Sequence, residues 1–261
     1  MDFGLRGKIA IVLGASQGMG RAAARALALE GCDLALAARK AETLGETAEA
    51  LTRETGVRVF HQSCDVTRDA DRESFLAETL HRYEHVDILV NNCGGPKPGS
   101  LKDAPSVEEW RDGFERSLMQ VVKWTQAVMP YMKNWGRIVN IVSTSVKQPI
   151  DGLLLSNSIR PGVIGFSKSA SRDLAPLGIT INSILPGSIR TDRTVELATH
   201  RSRKEGLSVD QVLEEKAREI PAGRLGEHDE IGAAVAFLCS RQAAYITGTS
   251  LVVDGGLTRA V

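Results

Sequence analysis

Seven short apolar runs, each separated from the next by a longer helical pattern, leave this 261-residue chain few architectures. The runs are KIAIVLG (8–14), DLALAAR (33–39), VRVFHQSCD (57–65), HVDILVNN (85–92), GRIVNIVS (136–143), GITINSILPG (178–187) and SLVVDGG (250–256). Strands that are apolar on both faces and alternate with helices belong in a parallel sheet covered on both sides. The expected fold is therefore α/β, a single domain over 1–261 built on one doubly wound, seven-stranded parallel sheet with helices on both faces. Local signals place the helices. Thr67 and Asp69 open one. Ser106 and Glu109 form a capping box for a long helix ending near Met132, Ser208 and Gln211 cap another, and Glu227 begins the last. Residues 188–224 break the rhythm with a polar, helix-rich insertion beyond a strand's carboxyl end, where ligands bind in such sheets. The insertion reads as a substrate lid, with a plain surface excursion as the alternative.

Charge excludes several functions. With 32 basic and 32 acidic residues the formal net charge is zero, so no whole face attracts nucleic acid or an anionic membrane. No apolar run reaches the roughly 18 residues that span a bilayer. The opening MDFGLRGKIAIVLG lacks a signal pattern, and a cytoplasmic location is expected. Cys32, Cys64, Cys93 and Cys239 form no CxxC pair, so reduced thiols are expected, with no metal site. His61, His81, His85 and His228 are scattered without ligand spacing.

The stretch LGASQGMGRAAARAL follows the first strand and opens a helix. Gly14, Gly18 and Gly20 permit a tight turn and close backbone approach, and Ser16, Gln17 and Met19 complete the loop. A helix N-terminus then offers N–H groups and positive partial charge to a pyrophosphate, as in a Rossmann fold. At the end of the second strand a carboxylate would hold a ribose 2′-hydroxyl. Ala38 stands there, followed by Arg39 and Lys40. Two cations suit a 2′-phosphate, so NADP(H) is preferred, with NAD(H) as the alternative.

The stretches GASQGMG, CDV (64–66), NNCGG (91–95), GRIVNIVS, NSILPGSIRT (182–191) and YITGTSLVVDGG (245–256) occur in this order. Over essentially its full length the chain resembles the short-chain dehydrogenase/reductase family, of the β-ketoacyl-carrier-protein-reductase-like kind. The resemblance implies that Asp65 meets the adenine, that Val66 beside it belongs to the cofactor site, that Asn92 and Gly94 border the adenosine ribose, and that Pro186, Gly187, Ile189 and Thr191 line the nicotinamide side. It also implies a homo-oligomer, dimer or tetramer, assembled through the helices at 106–132 and 156–177.

The family's active site is a tetrad of Asn, Ser, Tyr and Lys. By position, Ser143 keeps the serine, Ser156 stands for the tyrosine, Arg160 for the lysine and Ser117 for the asparagine. A tyrosine of pKa about 10 is brought toward working pH by a nearby cation, whereas a serine hydroxyl is far less acidic and a ring shorter. Arg160 keeps a charge for the cofactor ribose but cannot lose a proton. Residues 156 and 160 share a helix face. Pro161 should delay or bend that helix. Tyr83, Tyr131 and Tyr245 are poorly placed to substitute. Thr144, Ser145, Lys147, Asp151, His200 and an ordered water are the candidate relays, each weighed against a plain surface role.

Three functions compete. The first is an NADP(H)-dependent oxidoreductase acting on a small carbonyl or alcohol, acyl thioesters included, with an atypical proton donor. The second is lyase, dehydratase or hydrolase chemistry on the same scaffold. The third is a non-catalytic nucleotide-binding partner subunit.

Overall fold

The computed structural model describes residues 2–92 and 94–260, without the side chains at 192, 193, 196, 197, 200, 201 and 204. Seven strands form one parallel sheet: β1 Ile9–Leu13, β2 Asp33–Ala38, β3 Val59–Ser63, β4 Ile88–Asn91, β5 Gly136–Ile141, β6 Ile179–Pro186 and β7 Ser250–Val253. Their order is β3-β2-β1-β4-β5-β6-β7. The chain winds outward from β1 through β2 to β3, then crosses back to β4 and winds the other way. Val12 is in register with Leu36 on one side and Val90 on the other. The switch between β1 and β4 opens a crevice at the carboxyl ends of the strands.

Alternation along β1 divides the core. Ala10 and Val12 join a layer with α1 (Gly18–Leu29), α2 (Ala41–Thr55) and α10 (His228–Cys239). Ile9, Ile11 and Leu13 join the opposite layer, with Phe75 of α3 (Asp69–Tyr83), Trp124 of α5 (Gln120–Val128) and Leu174 of α7 (Pro161–Leu174). Successive side chains on a strand point to opposite faces, so both faces of β1 are apolar. Small residues let α1 and α10 approach closely: a Cβ on Gly232 would lie 2.6 Å from the Ala22 carbonyl oxygen. The edge strand β3 departs from the two-sided apolar expectation, for its residues are half-buried or exposed. An edge strand has a neighbour on one side only; Phe60 packs against Phe75 at 5.6 Å and Val59 against the opposite layer.

Two helices differ from the sequence reading and a third follows it. The first, α3, begins after Arg68 with no side-chain cap, because Thr67 instead donates its N–H and Oγ1–H to Asp65. The expected single helix from Ser106 to Met132 is divided. The Ser106–Glu109 box opens α4 (Val107–Phe114), a π-turn occupies Glu115–Met119, α5 follows, and a 3₁₀ turn closes at Tyr131. A π-turn holds an extra residue and rotates the side chains that follow it. The third expectation, the interruption at Pro161, takes a definite form: α6 (Leu154–Ile159) ends and α7 starts with Pro161 at its first position, where the missing N–H costs nothing.

Between β6 and α10 lie α8 (Asp192–Glu205) and α9 (Val209–Arg218), which share a small apolar cluster of Ala198, Val212 and Leu213. Among the described residues no helix is long and apolar enough to cross a membrane.

Candidate active site

A cleft of about 760 Å³ opens at the crevice. Of the residues the sequence selected, Gly14, Ser16, Gln17, Gly18 and Met19 line one end, and Arg39, Lys40, Asp65 and Val66 lie beside them. Asn92, Gly94, Arg160 and Thr191 complete the set in the cleft. The loop is tightly braced. A Cβ on Gly20 would fall 2.2 Å from the Gly14 carbonyl oxygen, and the Asn92 side-chain amide donates to the Leu13 and Gly14 carbonyls at 3.3 Å each. The Thr47 hydroxyl donates to the Ser16 carbonyl at 3.0 Å. Gln17 provides no side-chain cap to α1 and the first turn carries no acid, unlike the boxed starts of α4 and α9. The first N–H groups of α1 are thus left for a ligand, and an anion is the ligand they suit. The cradle fits a pyrophosphate.

Asp65 is chemically defined. Partial burial pushes its carboxyl up, but hydrogen bonds from Thr67, at 2.7 Å from the hydroxyl and 3.1 Å from the backbone, outweigh this, with help from Arg116 and Arg39. The group is held below the usual carboxylate range.

The nicotinamide-side residues divide differently. Pro186 is buried at the end of β6, Gly187 packs where a Cβ would be 2.5 Å from Asp254 Cβ, and Ile189 is part of the core. Thr191 reaches the cleft and caps α8, accepting from the Thr194 N–H at 3.0 Å.

Of the four tetrad positions Arg160 lines the cleft, whereas Ser143, Ser156 and Ser117 lie outside its lining. Ser143 caps a 3₁₀ turn over Thr144–Val146, its Oγ accepting from the Ser145 N–H at 3.1 Å. That turn brings the buried Ser145 hydroxyl to 3.3 Å from the Ser156 hydroxyl. Arg160 is 9% exposed and donates Nη1–H to the Val142 carbonyl, while its Nη2 lies 3.3 Å from where a Cβ of Gly95 would be. The guanidinium therefore spans the space between the end of β5 and the loop after β4, and it lines the cleft. Ser117 is buried in the π-turn with its Oγ unpartnered, and Gln120 Oε1 and Thr125 Oγ1 on α5 are likewise buried without partners.

The substitute donors separate. Tyr83 is buried and donates to the Leu34 carbonyl at 3.1 Å, while Tyr131 and Tyr245 are exposed, so none faces the cleft. Lys147 and Asp151 are exposed and outside the cleft lining. His200 lies outside the described side chains. Sequence reasoning missed Gly95, Pro96, Lys97, Asp112 and Arg116, which also line the cleft. Gly95 closes NNCGG and Pro96 and Lys97 continue it, so these three were legible, but the last two carry no motif.

Among the described residues no group of three or more His, Cys, Asp or Glu is arranged for a metal ion. Cys64 lines the cleft, yet burial pushes its thiol up to about 12, as it does that of Cys239, and raises that of Cys32 as well. A thiol alkylates as its thiolate. Iodoacetamide at pH 8 should therefore leave Cys32, Cys64 and Cys239 unmodified in the native protein and label all three after denaturation. Peptide mapping that finds Cys64 labelled at a free-thiol rate would refute this.

Comparison with known proteins adds a second line of observation. The family model described as Enoyl-(Acyl carrier protein) reductase matches residues 14–258. The chain is 40% identical over 253 residues to the 3-oxoacyl-acyl-carrier-protein reductase FabG of Escherichia coli strain K12, covering 96% of this chain and 97% of that one. It superposes on L-sorbose reductase from Gluconobacter frateurii, solved with NADPH and L-sorbose, with a TM-score of 0.97 at 29% identity over 100% of both chains. A variant of the actinorhodin polyketide ketoreductase, solved with NADPH, matches with a TM-score of 0.90 at 34% identity over 97% of this chain and 98% of that one.

Proposed function

The chain belongs to the short-chain dehydrogenase/reductase family, and from that premise we propose that it is an NADP(H)-dependent oxidoreductase for a carbonyl/alcohol pair, 3-oxoacyl-ACP-reductase-like, with an atypical proton donor. The observation that carries the reading is the cleft itself, with an uncapped helix start at one end, Arg39 and Lys40 beside it, and the Arg160 guanidinium in its wall. Both L-sorbose reductase and the actinorhodin ketoreductase were solved with NADPH, which supports the same cofactor.

When bound, the nicotinamide supplies or accepts the hydride. The chain's own residues do the rest. The loop and α1 N–H groups take the pyrophosphate, and Arg39 and Lys40 take the 2′-phosphate. Arg160 binds the ribose hydroxyls and adds positive charge near the substrate oxygen, where a developing alkoxide is stabilised. Ser143 and Ser156 hold that oxygen. The proton reaches it from water through the Ser145–Ser156 hydroxyl pair, since neither hydroxyl is acidic enough to act as a source. The α8–α9 insertion acts as the lid. Exposed Val107 and Phe114 on α4 and Met129 in the 3₁₀ turn after α5 serve a homo-oligomer, dimer or tetramer, and a cytoplasmic location accords with the whole.

Oxidation of NADPH over a panel of 3-oxoacyl thioesters, ketoses and simple ketones tests the proposal. Tight NADPH binding without reduction of any of them refutes it. The displaced tetrad favours one other reading, a repurposed scaffold, and conversion of substrate without added nucleotide would establish that instead. Replacing Arg39 and Lys40 together by alanine should reduce NADPH affinity about 10–100-fold, as expected for two charge-assisted bonds, with little change for NADH. Calorimetry with both nucleotides measures the difference.

A further inference from the structure

Arg116, on the π-turn one residue before Ser117, is the cleft residue that neither the tetrad nor the phosphate loop explains. Its surroundings are fixed from two directions. Nε donates to both carboxylate oxygens of Asp112 at 2.8 Å, an i,i+4 pair that sets the side chain's direction along the helix. The helix is in turn tied to the loop after β3: the Trp124 indole N–H donates to the Val66 carbonyl at 3.0 Å, and Lys123 reaches Asp69 at 3.2 Å. Arg116 and Asp112 therefore line the cleft together with Asp65, Val66 and Thr67. The charge of Arg116 reaches Asp65, being one of the two cations that help hold its carboxyl low.

We propose that Arg116 is an adenine-binding residue, its guanidinium plane stacking on the base of the dinucleotide from the side opposite Asp65 and Val66. The proposal rests on the reading that the cleft takes a pyridine dinucleotide, and it deepens that reading. Two features favour the base over the 2′-phosphate. Arg116 is held by both carboxylate oxygens of Asp112 and faces Asp65, and two carboxylates beside it disfavour a phosphate dianion there. An in-plane N–H held by a carboxylate also leaves a flat cationic face as the recognition surface, and arginine presents such a face to π-systems where lysine cannot. Asp112 and Arg116 keep i,i+4 spacing on the cleft side of the helix, while Ser117 in the π-turn stays buried.

The test is calorimetric titration of the full-length chain with NADPH, NADH and ADP-ribose. All three ligands carry the adenine and only NADPH carries the 2′-phosphate. Arg116→Leu and Arg116→Lys should each weaken all three by about tenfold, the scale of one lost base stack. Unchanged affinity in the leucine variant overturns the proposal. Loss confined to NADPH also overturns it, by making Arg116 a 2′-phosphate ligand. So does wild-type affinity in the lysine variant, which would show that charge alone matters. Thermal melts accompany each titration, and Arg116→Gln replaces any variant that melts early. A wild-type chain that binds none of the three ligands overturns the reading of the cleft itself and the inference with it. Wild-type binding with unaltered variants removes the inference alone.

Discussion

Ser156→Tyr should raise the turnover number for carbonyl reduction by about a hundredfold or more, the scale of general acid catalysis by a positioned side chain. The gain has a physical origin in three features. A serine hydroxyl beside a second hydroxyl at 3.3 Å can pass a proton along but cannot generate one near neutral pH. A phenol starts from a pKa of about 10. Arg160, one turn further along, favours the phenolate and brings that value down. The pH profile then gains a limb with a definite sign. Reduction requires the protonated phenol, so the variant's rate is flat below its pKa and falls as pH rises through it. The unmodified chain has no such limb. Steady-state rates across pH 6–10 provide the check. A variant that keeps its melting temperature and NADPH affinity yet turns over no faster would show that position 156 does not face the substrate oxygen.

Gly20→Ala should cost about a hundredfold in dinucleotide affinity, equivalent to about 3 kcal/mol. The added Cβ would stand 2.2 Å from the Gly14 carbonyl oxygen and 2.7 Å from the Asn92 amide nitrogen, and both are fixed parts of the cradle. Neither can give way without moving the start of α1, whose N–H groups are the anion site. Overpacking of this kind typically costs 1–3 kcal/mol in stability as well. Gly45→Ala is the control, since its Cβ would meet only His61 Nε2 at an ordinary 3.6 Å. Calorimetry and thermal melts on the pair should separate them. Equal affinities in the two variants would show that the loop is looser than its contacts indicate.

The sheet was legible because its signal is collective. Central strands such as β1, β5 and β6 are buried from end to end, and two-sided apolar runs announce that state. At β3 the same rule failed in part, because position at an edge is a property of topology and leaves no mark on five residues. Pro161 was legible because its effect is local and steric. The π-turn was not, since no residue in ERSLM has a chemistry that demands it. Arg116 was hidden as well, since no motif marks its i,i+4 pairing with Asp112 in the cleft lining. Ser145 was one relay candidate among several, and only the 3₁₀ turn that follows Ser143 singles it out. The nicotinamide-side positions were carried across by motif, and the structure places Ile189 in the core at 5% exposure.

The break at Pro161 has a consequence for how such a scaffold changes over time. Ser156 rides on a six-residue helical stub whose C-cap, Arg160, is also the N-cap of the long helix bracing the sheet. Such a stub packs mainly on helices and turns, so substitutions in its own turn reach the sheet chiefly through the Arg160 bond to the Val142 carbonyl. Chemistry and architecture are thus mutable independently, and a lineage can exchange its proton donor without rebuilding its frame.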